Sequence, residues 1–254
     1  MSSPLALPQR LITALASPRR PDDFFALFDP LWARETLRAR IVGVHRETAD
    51  ATTLTLHPGA GWKGHRAGQF LRVSVSLDGV RHSRCYSISS APDAEAGRLQ
   101  ITVKAIDDGR VSRHLAHHAK TGDVLDIATA EGDFCWPSTL PEKALFISGG
   151  SGITPLMSIM RYVDEAAPDV RATLAYSARY PSELLFRNQL LHMAARNENI
   201  RCLFTVTGPT NEAWDGRTGR IDAEMLTEAQ TDPDALIYVC GPPPMIRNML
   251  SLLG

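Results

Sequence analysis

The sequence predicts two domains in tandem: a six-stranded antiparallel β-barrel, then a parallel α/β domain. Three observations predict this. Six short segments rich in β-branched residues crowd between Leu37 and Phe134. After them, strand-like and helix-like segments alternate to the end of the chain. Between the two textures lies "WPSTLPEK", residues 136–143, with prolines at Pro137 and Pro141. Short strands at close spacing mark a small barrel. Strand–helix alternation implies a parallel sheet with helices on both faces. A chain of 254 residues is long enough for both. The expected division is a helical extension over 1–36, the barrel over 37–138 and the α/β domain over 139–254.

The extension carries two helical patches, "PQRLITALAS" and "DDFFALFDPLWARE", broken by prolines. Phe24, Phe25, Leu27 and Phe28 would leave an apolar patch exposed, so the extension is expected to dock on the body. The barrel strands are "LRARIVGVHRE", "ATTLTLHP", "GQFLRVSVSL", "RCYSIS", "LQITVKAI" and "DVLDIAT", bounded by Gly, Pro or Asp. One helix interrupts them, "VSRHLAHHA". In the second domain "ALFISG", "RATLAYS", "IRCLFTVTG" and "ALIYVCG" read as strands. "TPLMSIMRYVDEA" is helical, with Leu156, Ile159, Met160 and Val163 at helical spacing. "PSELLFRNQLLHMAARN" and "PPMIRNMLSLL" are the other helices.

Composition excludes several classes. The formal net charge is −1, so nothing draws the whole chain to nucleic acid or an anionic membrane. No apolar run approaches the roughly 20 residues of a membrane span. The N-terminus lacks an early basic segment and has prolines where a signal core should be, so a cytoplasmic location is expected. Cys85, Cys135, Cys202 and Cys240 are too far apart for a C-x-x-C pair, a zinc knuckle or a ferredoxin-type cluster. The first three read as buried small hydrophobes.

Four stretches carry chemistry. In "VRHSRCYSISSAP" (80–92), strand alternation points Arg84 and Tyr86 one way and Ser87 the other. In "ALFISGGSGITPLMSIM", Gly149, Gly150 and Gly152 join a buried strand to a helix. Thr154 is the expected N-cap and Pro155 the first helical residue. Such a loop presents backbone N–H groups to an anion, fit for a pyrophosphate. No Gly-Lys-Ser/Thr follows, so it is not a nucleoside-triphosphate loop. The alternative is a tight connection that binds nothing. The next strand ends in "YSARYPSE", where an acid would favour an unphosphorylated ribose. Ser177 and Arg179 stand there instead, and a guanidinium pairs well with a 2′-phosphate, which favours NADPH over NADH. A plain surface arginine is the other reading. "CGPPP" (240–244) puts Cys240 at the C-terminal end of a parallel strand, suited to core or site alike. His114, His117 and His118 read as a solvated helix face.

With "RCYS" (84–87), "GRVS" (109–112), "GGSGITP" (149–155) and "CGPPP" in this order, the chain resembles the ferredoxin–NADP⁺ reductase superfamily from Leu37 to Gly254. "GRVSRHLAHHAKTGDVLDIATAEGDF" is most similar to the reductase half of flavohaemoglobins and of multi-component oxygenase reductases. The stretch "FDPLWARETLRARIVGV" resembles reductases that feed acyl-lipid desaturases or hydroxylases. The resemblance implies a flavin-binding barrel followed by a Rossmann-like nucleotide-binding domain. It implies that Arg84 pairs with the flavin pyrophosphate, Tyr86 lies against the isoalloxazine and Ser87 hydrogen-bonds near N5. Gly109, Val111 and Ser112 would hold the pyrophosphate at a helix start, which favours FAD over FMN. Val103, Lys104 and Ala105 would offer backbone groups to the flavin. Gly150, Ser151, Gly152 and Thr154 would hold the nicotinamide dinucleotide, with Cys240, Gly241 and Pro242 near the nicotinamide.

The function so implied is an NADPH:acceptor reductase, passing electrons through FAD to an iron–sulfur or haem acceptor of an oxygenase or desaturase system. NADH is the second nucleotide choice. The expected partner is an iron–sulfur protein or domain, including one serving a membrane desaturase or hydroxylase, with no nucleic acid and no membrane span. Related chains continue past the "CGPPP" helix into a final strand, and some into a [2Fe–2S] domain. Here electrons are expected to leave to a separate protein or to a segment beyond Gly254. The alternatives are a free-standing flavin reductase and a regulatory flavin-binding subunit.

Overall fold

The computed structural model describes residues 28–33, 36–92, 97–209, 213–229 and 234–254. Apart from 28–33 and Thr36, the N-terminal extension lies outside the described residues. What is described there is a single 3₁₀ turn, Pro30–Trp32, capped by Asp29.

Six antiparallel strands form the first sheet: β1 (Arg38–Arg46), β2 (Ala51–Pro58), β3 (Phe70–Leu77), β4 (Val80–Ser87), β5 (Leu99–Lys104) and β6 (Val124–Ile127). Their order is β4-β3-β6-β1-β2-β5. Alternation along each strand sends Ile41, Leu54, Leu56, Leu71, Val73, Ile101 and Val103 into one shared core. An Asp78-Gly79 turn with both residues at positive φ joins β3 to β4. Helix α1 (Arg110–His117) packs Val111, Leu115 and Ala116 against the same core.

The end strands β4 and β5 close the barrel at one place. Ile88 bridges to Ile101, and the Ser89 N–H donates to the Gln100 carbonyl at 2.7 Å. From there toward Arg84 and Lys104 no ladder joins them. The result is a slot between two strand edges whose backbone groups are not used by the sheet.

The second sheet is parallel, in the order β10-β9-β8-β7-β11. It comprises β7 (Lys143–Gly149), β8 (Arg171–Ala178), β9 (Ile200–Val206), β10 (Arg217–Thr218) and β11 (Leu236–Cys240). Helices α2 (Ile153–Ala166) and α3 (Arg187–Arg196) cover the face bearing Phe146, Leu174 and Tyr176. Helices α4 (Ala223–Glu228) and α5 (Pro243–Leu253) cover the face bearing Leu145, Ile147 and Ala175.

The sequence reading and the structure differ in two places here. The helix expected over 181–197 begins only at Arg187. Before it come a 3₁₀ turn, Pro181–Glu183, and three consecutive buried residues, Leu184, Leu185 and Phe186. Three neighbours cannot share one helix face. The chain instead leaves the helix, with Phe186 at φ +59°, and buries all three. The short β10 and α4 were not anticipated.

The two sheets share apolar surface. Ala51 and Ala67 of the barrel belong to the core that α2 and α3 build. Trp136, at the start of the connecting segment, is buried there too. It stacks on Tyr238 at 5.9 Å and lies 5.9 Å from Phe146, while Phe134 meets Tyr238 edge-on at 5.1 Å. The Tyr238 hydroxyl donates to the Cys135 carbonyl at 2.7 Å.

Candidate functional site

The register of β3 with β4 fixes which way the site strand faces. Arg84 sits opposite Val73 and Tyr86 opposite Leu71, while Cys85 sits opposite Arg72 and Ser87 opposite Phe70. Opposed residues point to the same side. Arg84 and Tyr86 therefore share the inward side with the core valine and leucine, at the rim of the slot. Arg84 is exposed, and it donates to its neighbour's carbonyl, Ser83 O, at 2.7 Å. Tyr86 packs on the barrel core. Burial pushes its phenol up to about 12, with Arg84 pulling the other way, so it stays a hydrogen-bond donor.

Ser87 lies on the outer side, as do Ser89 and the β5 residues Gln100, Thr102 and Lys104. The Ser89 and Thr102 hydroxyls meet at 3.0 Å. This is the side that meets the α/β domain. Cys85 shares it and is exposed, which corrects the expectation of a buried thiol. Cys135 is buried as expected and Cys202 partly so, with burial pushing the Cys202 thiol up to about 12.

On β5, the Ala105 N–H is taken by the Asp50 carbonyl at 2.7 Å, while the Gln100 carbonyl faces β4. Backbone groups alternate along a strand. The main chain of Lys104 thus faces the slot, and those of Val103 and Ala105 face β2. The Lys104 side chain turns instead to the other domain, 2.8 Å from Glu183, and lies 3.3 Å from Asp50 of its own barrel.

Helix α1 starts at the slot's far end. Gly109 caps it without a side-chain bond, so the first-turn N–H groups keep no intrahelical partner. The Ser112 hydroxyl turns back on the loop, donating to Gly109 O and accepting from the Ile106 N–H. A Cβ on Gly109 would fall 2.2 Å from that hydroxyl. The loop is thus shaped by Ser112 and Gly109, and the backbone of Val111 and Ser112 remains for an anion. A guanidinium, a half-buried phenol, a free strand edge and an open helix start match the anionic, aromatic and polar parts of FAD.

The glycine-rich loop is built differently from the sequence reading. A 3₁₀ turn, Gly150–Gly152, precedes α2, whose N-cap is Gly152, not Thr154. Thr154 lies inside the first turn, and its hydroxyl donates to Ser151 O at 3.0 Å. The extra 3₁₀ turn moves the helix start two residues earlier and puts Pro155 third. Gly150 has φ +56° with open space where a Cβ would point. Gly152 touches Cys240 and Gly241, and the positions of Gly149 and Gly241 are filled by Met245. Pro242 caps α5. The Cys240 thiol is pushed up by burial, so it is a neutral group.

Ser177 is buried and donates to Ser148 O at 3.4 Å. Arg179 is exposed, with its guanidinium 5.2 Å over the Tyr180 ring. Among the described residues no carboxylate pairs with it.

Sequence reasoning missed Tyr176, Ser158, Arg161 and Glu183. The buried Tyr176 hydroxyl donates to Gly150 O and accepts from the Leu185 N–H, each at 3.1 Å. It ties the glycine-rich loop to the segment after Arg179. No local pattern announces that role. Ser158 and Arg161 did leave a signal: they follow Thr154 at helical spacing in the otherwise apolar stretch 153–161.

This geometry defines a class: a two-domain oxidoreductase module with a flavin cradle on a barrel and a dinucleotide cradle on a parallel sheet. The comparisons agree. The oxidoreductase FAD-binding domain matches residues 44–136, and the oxidoreductase NAD-binding domain matches 146–250. The chain belongs to the oxidoreductases that join these FAD-binding and NAD-binding domains, with FAD and a nicotinamide dinucleotide as cofactors.

An NADPH oxidoreductase of Mycobacterium tuberculosis is 32% identical over 238 residues, covering 92% of this chain and 60% of that protein. The glycine betaine monooxygenase reductase subunit of Pseudomonas aeruginosa is 33% identical over 227 residues, covering 87% and 61%. The chain thus spans about three fifths of the length of these relatives. The FAD/NAD-binding domain of a Vibrio cholerae nitric oxide dioxygenase shares the fold, with a TM-score of 0.77 at 23% identity over 87% of this chain and 93% of that one. So does a Neisseria gonorrhoeae ferredoxin NADP⁺ reductase, with 0.71 at 24% over 86% and 90%. No helix among the described residues is long and apolar enough to cross a membrane.

Proposed function

We propose that the chain is an NADPH-dependent FAD reductase that hands electrons to an iron–sulfur or haem acceptor of an oxygenase or desaturase system. The observation that carries this reading is the contact between the two cradles. The Ser90 carbonyl, three residues past Ser87, accepts a 2.6 Å hydrogen bond from Ser158, in the helix that the glycine-rich loop begins. Two relatives of nearly the whole chain support it by name: one is an NADPH oxidoreductase, another the reductase subunit of a monooxygenase. The working division is 37–138 for FAD and 139–254 for the nucleotide.

A bound flavin supplies the conversion of a two-electron donor into a one-electron source. The chain's residues bind and orient. Arg84 and the N–H groups of Gly109, Val111 and Ser112 hold phosphate. Tyr86 covers the ring system as a neutral phenol, and the Lys104 backbone meets its polar edge, with Val103 beneath it in the core. Ser87, on the side of the nucleotide domain, would donate a hydrogen bond to the edge of the flavin ring. Gly150, Ser151, Gly152 and Thr154 hold the dinucleotide pyrophosphate. Arg179 pairs with a 2′-phosphate beside Ser177. Cys240, with Gly241 and Pro242, shapes the nicotinamide end without ionising.

Visible absorbance of the purified protein tests this. The reading expects bound yellow flavin that bleaches anaerobically with NADPH and recovers with a one-electron acceptor. Bound flavin that NADPH leaves oxidised points to a regulatory subunit. A colourless protein that needs added flavin points to a free-standing flavin reductase.

A further inference from the structure

Helix α2 carries a polar stripe through an apolar surface: Thr154, Ser158 and Arg161, at i, i+4 and i+7, share one face. Each acts on a different part of the site. Thr154 closes the glycine-rich loop onto Ser151 O. Ser158 donates to Ser90 O and sits 3.4 Å from the Gly68 N–H. Arg161 donates from Nη1 to Ser89 O at 2.6 Å and to Gln100 Oε1 at 2.9 Å, and from Nη2 to Gln189 Oε1 at 2.7 Å. Its guanidinium lies 5.3 Å over the Phe186 ring.

All the hydrogen-bond acceptors of Arg161 are neutral. Burial brings its pKa down to about 10, so it remains charged at neutral pH. Glu47 and Glu165 act on this half-buried cation only through space, with no hydrogen bond, and such an arrangement is a poor way to gain stability. It is a good way to fix geometry, because the planar fork dictates where its acceptors lie. The two acceptors of Nη1, Ser89 O and Gln100 Oε1, are at the single point where β4 and β5 close the barrel, two residues past Ser87. At 1.5 Å per residue, Thr154 and Arg161 stand only about 10 Å apart on one rigid helix.

We infer that Ser158 and Arg161 are positioning residues, which make helix α2 a spacer that sets the register of the nucleotide loop against the flavin strand. The inference rests on the reductase reading. A displaced register moves the donor carbon relative to the acceptor without touching either binding cradle, so it slows the transfer step and spares binding.

The test uses the full chain loaded with FAD, as Arg161→Gln, Arg161→Lys and Ser158→Ala, mixed anaerobically with NADPH in a stopped-flow instrument. For Arg161→Gln the limiting reduction rate falls about 10- to 100-fold, as expected for a misplacement on the order of 1 Å. The NADPH dissociation constant stays within a factor of about two, since uniform binding is untouched. Arg161→Lys restores part of the rate, and Ser158→Ala shows a smaller loss in the same direction. A readout without turnover accompanies it: the long-wavelength absorbance that NADP⁺ stacking induces in oxidised flavin weakens in Arg161→Gln. If Arg161→Gln fails to fold, the lysine and Ser158→Ala variants carry the test. Folded variants that match wild type in both rate and absorbance overturn the inference alone. A wild type that binds FAD but is not reduced by NADPH overturns the reductase reading, and this inference with it.

Discussion

Gly152→Ala separates contact from conformation in the glycine-rich loop. Gly152 has an ordinary helical backbone, φ −61° and ψ −13°, so alanine adds no torsional strain. Its Cβ, however, would stand 2.3 Å from the Cys240 carbonyl oxygen, 2.6 Å from that carbonyl carbon and 2.8 Å from Gly241 Cα. All three are backbone atoms that cannot rotate away. Reaching even 3.0 Å from the oxygen needs a shift of about 0.7 Å at the end of β11 or in the loop. Overpacking of this kind costs about 1–3 kcal/mol. For a chain of this size that lowers Tm by roughly 2–10 °C. On the proposed placement of Cys240 and Gly241 at the nicotinamide end, the same shift slows reduction by NADPH by about tenfold or more. Gly150→Asn is the control. Gly150 needs a positive φ but has open space, and asparagine tolerates that backbone region, so the stability loss stays below about 1 kcal/mol. Thermal melts and anaerobic reduction of both variants decide the matter. A Gly152→Ala protein that melts and reduces like wild type would refute the contact argument.

Three further predictions are more compact. Arg179→Ala weakens NADPH binding by about 1.5–3 kcal/mol, roughly 10- to 150-fold, and leaves NADH nearly unchanged; equal losses in titrations of the two nucleotides would rule out the 2′-phosphate pairing. Tyr176→Phe strips Gly150 O and the Leu185 N–H of their shared hydroxyl, which lowers stability in denaturant melts by about 1–3 kcal/mol and loosens the nucleotide loop. Lys104→Met and Glu183→Gln, combined in a double-mutant cycle, show a coupling of about 0.5–1 kcal/mol. Burial opposes the Lys104 charge, but Glu183 and Asp50 outweigh it and raise the pKa. The ion pair's contribution is therefore fully present below the ordinary lysine value of about 10.4 and is lost as pH rises through the folded pKa. Melts of wild type and Lys104→Met should converge only in strongly alkaline solution.

Much of the fold was legible because its signals are local. Alternation in "LRVSVSL" and "LQITVK" announced β3 and β5, and the helical spacing of Leu156, Ile159, Met160 and Val163 announced α2. Segment 181–186 was misread because strong helix formers there answer to burial of Leu184, Leu185 and Phe186, which no window on the sequence reveals. The motif residues Arg84, Tyr86, Gly109 and Gly152 were singled out through composition and order. Their neighbours were not. Tyr176 and Glu183 act across distances set only by tertiary packing, and an inward tyrosine in a strand looks the same whether or not its hydroxyl is used. Ser87 shows the gain: alternation left its direction unexplained, and the register with Phe70 turns it toward the nucleotide domain.

The aromatic cluster where the chain crosses between the sheets limits how this molecule can move. A hinge requires a crossing with few contacts, so that a small change of backbone torsion swings one body against the other. Here the crossing opens with Trp136, buried against Phe146 and Tyr238, and Tyr238 grips the Cys135 carbonyl. Arg66 adds a bond to the Trp136 carbonyl at 3.3 Å. A swing at this place would have to peel apart a stacked core. The two cradles therefore behave as parts of one jaw set at a fixed gape.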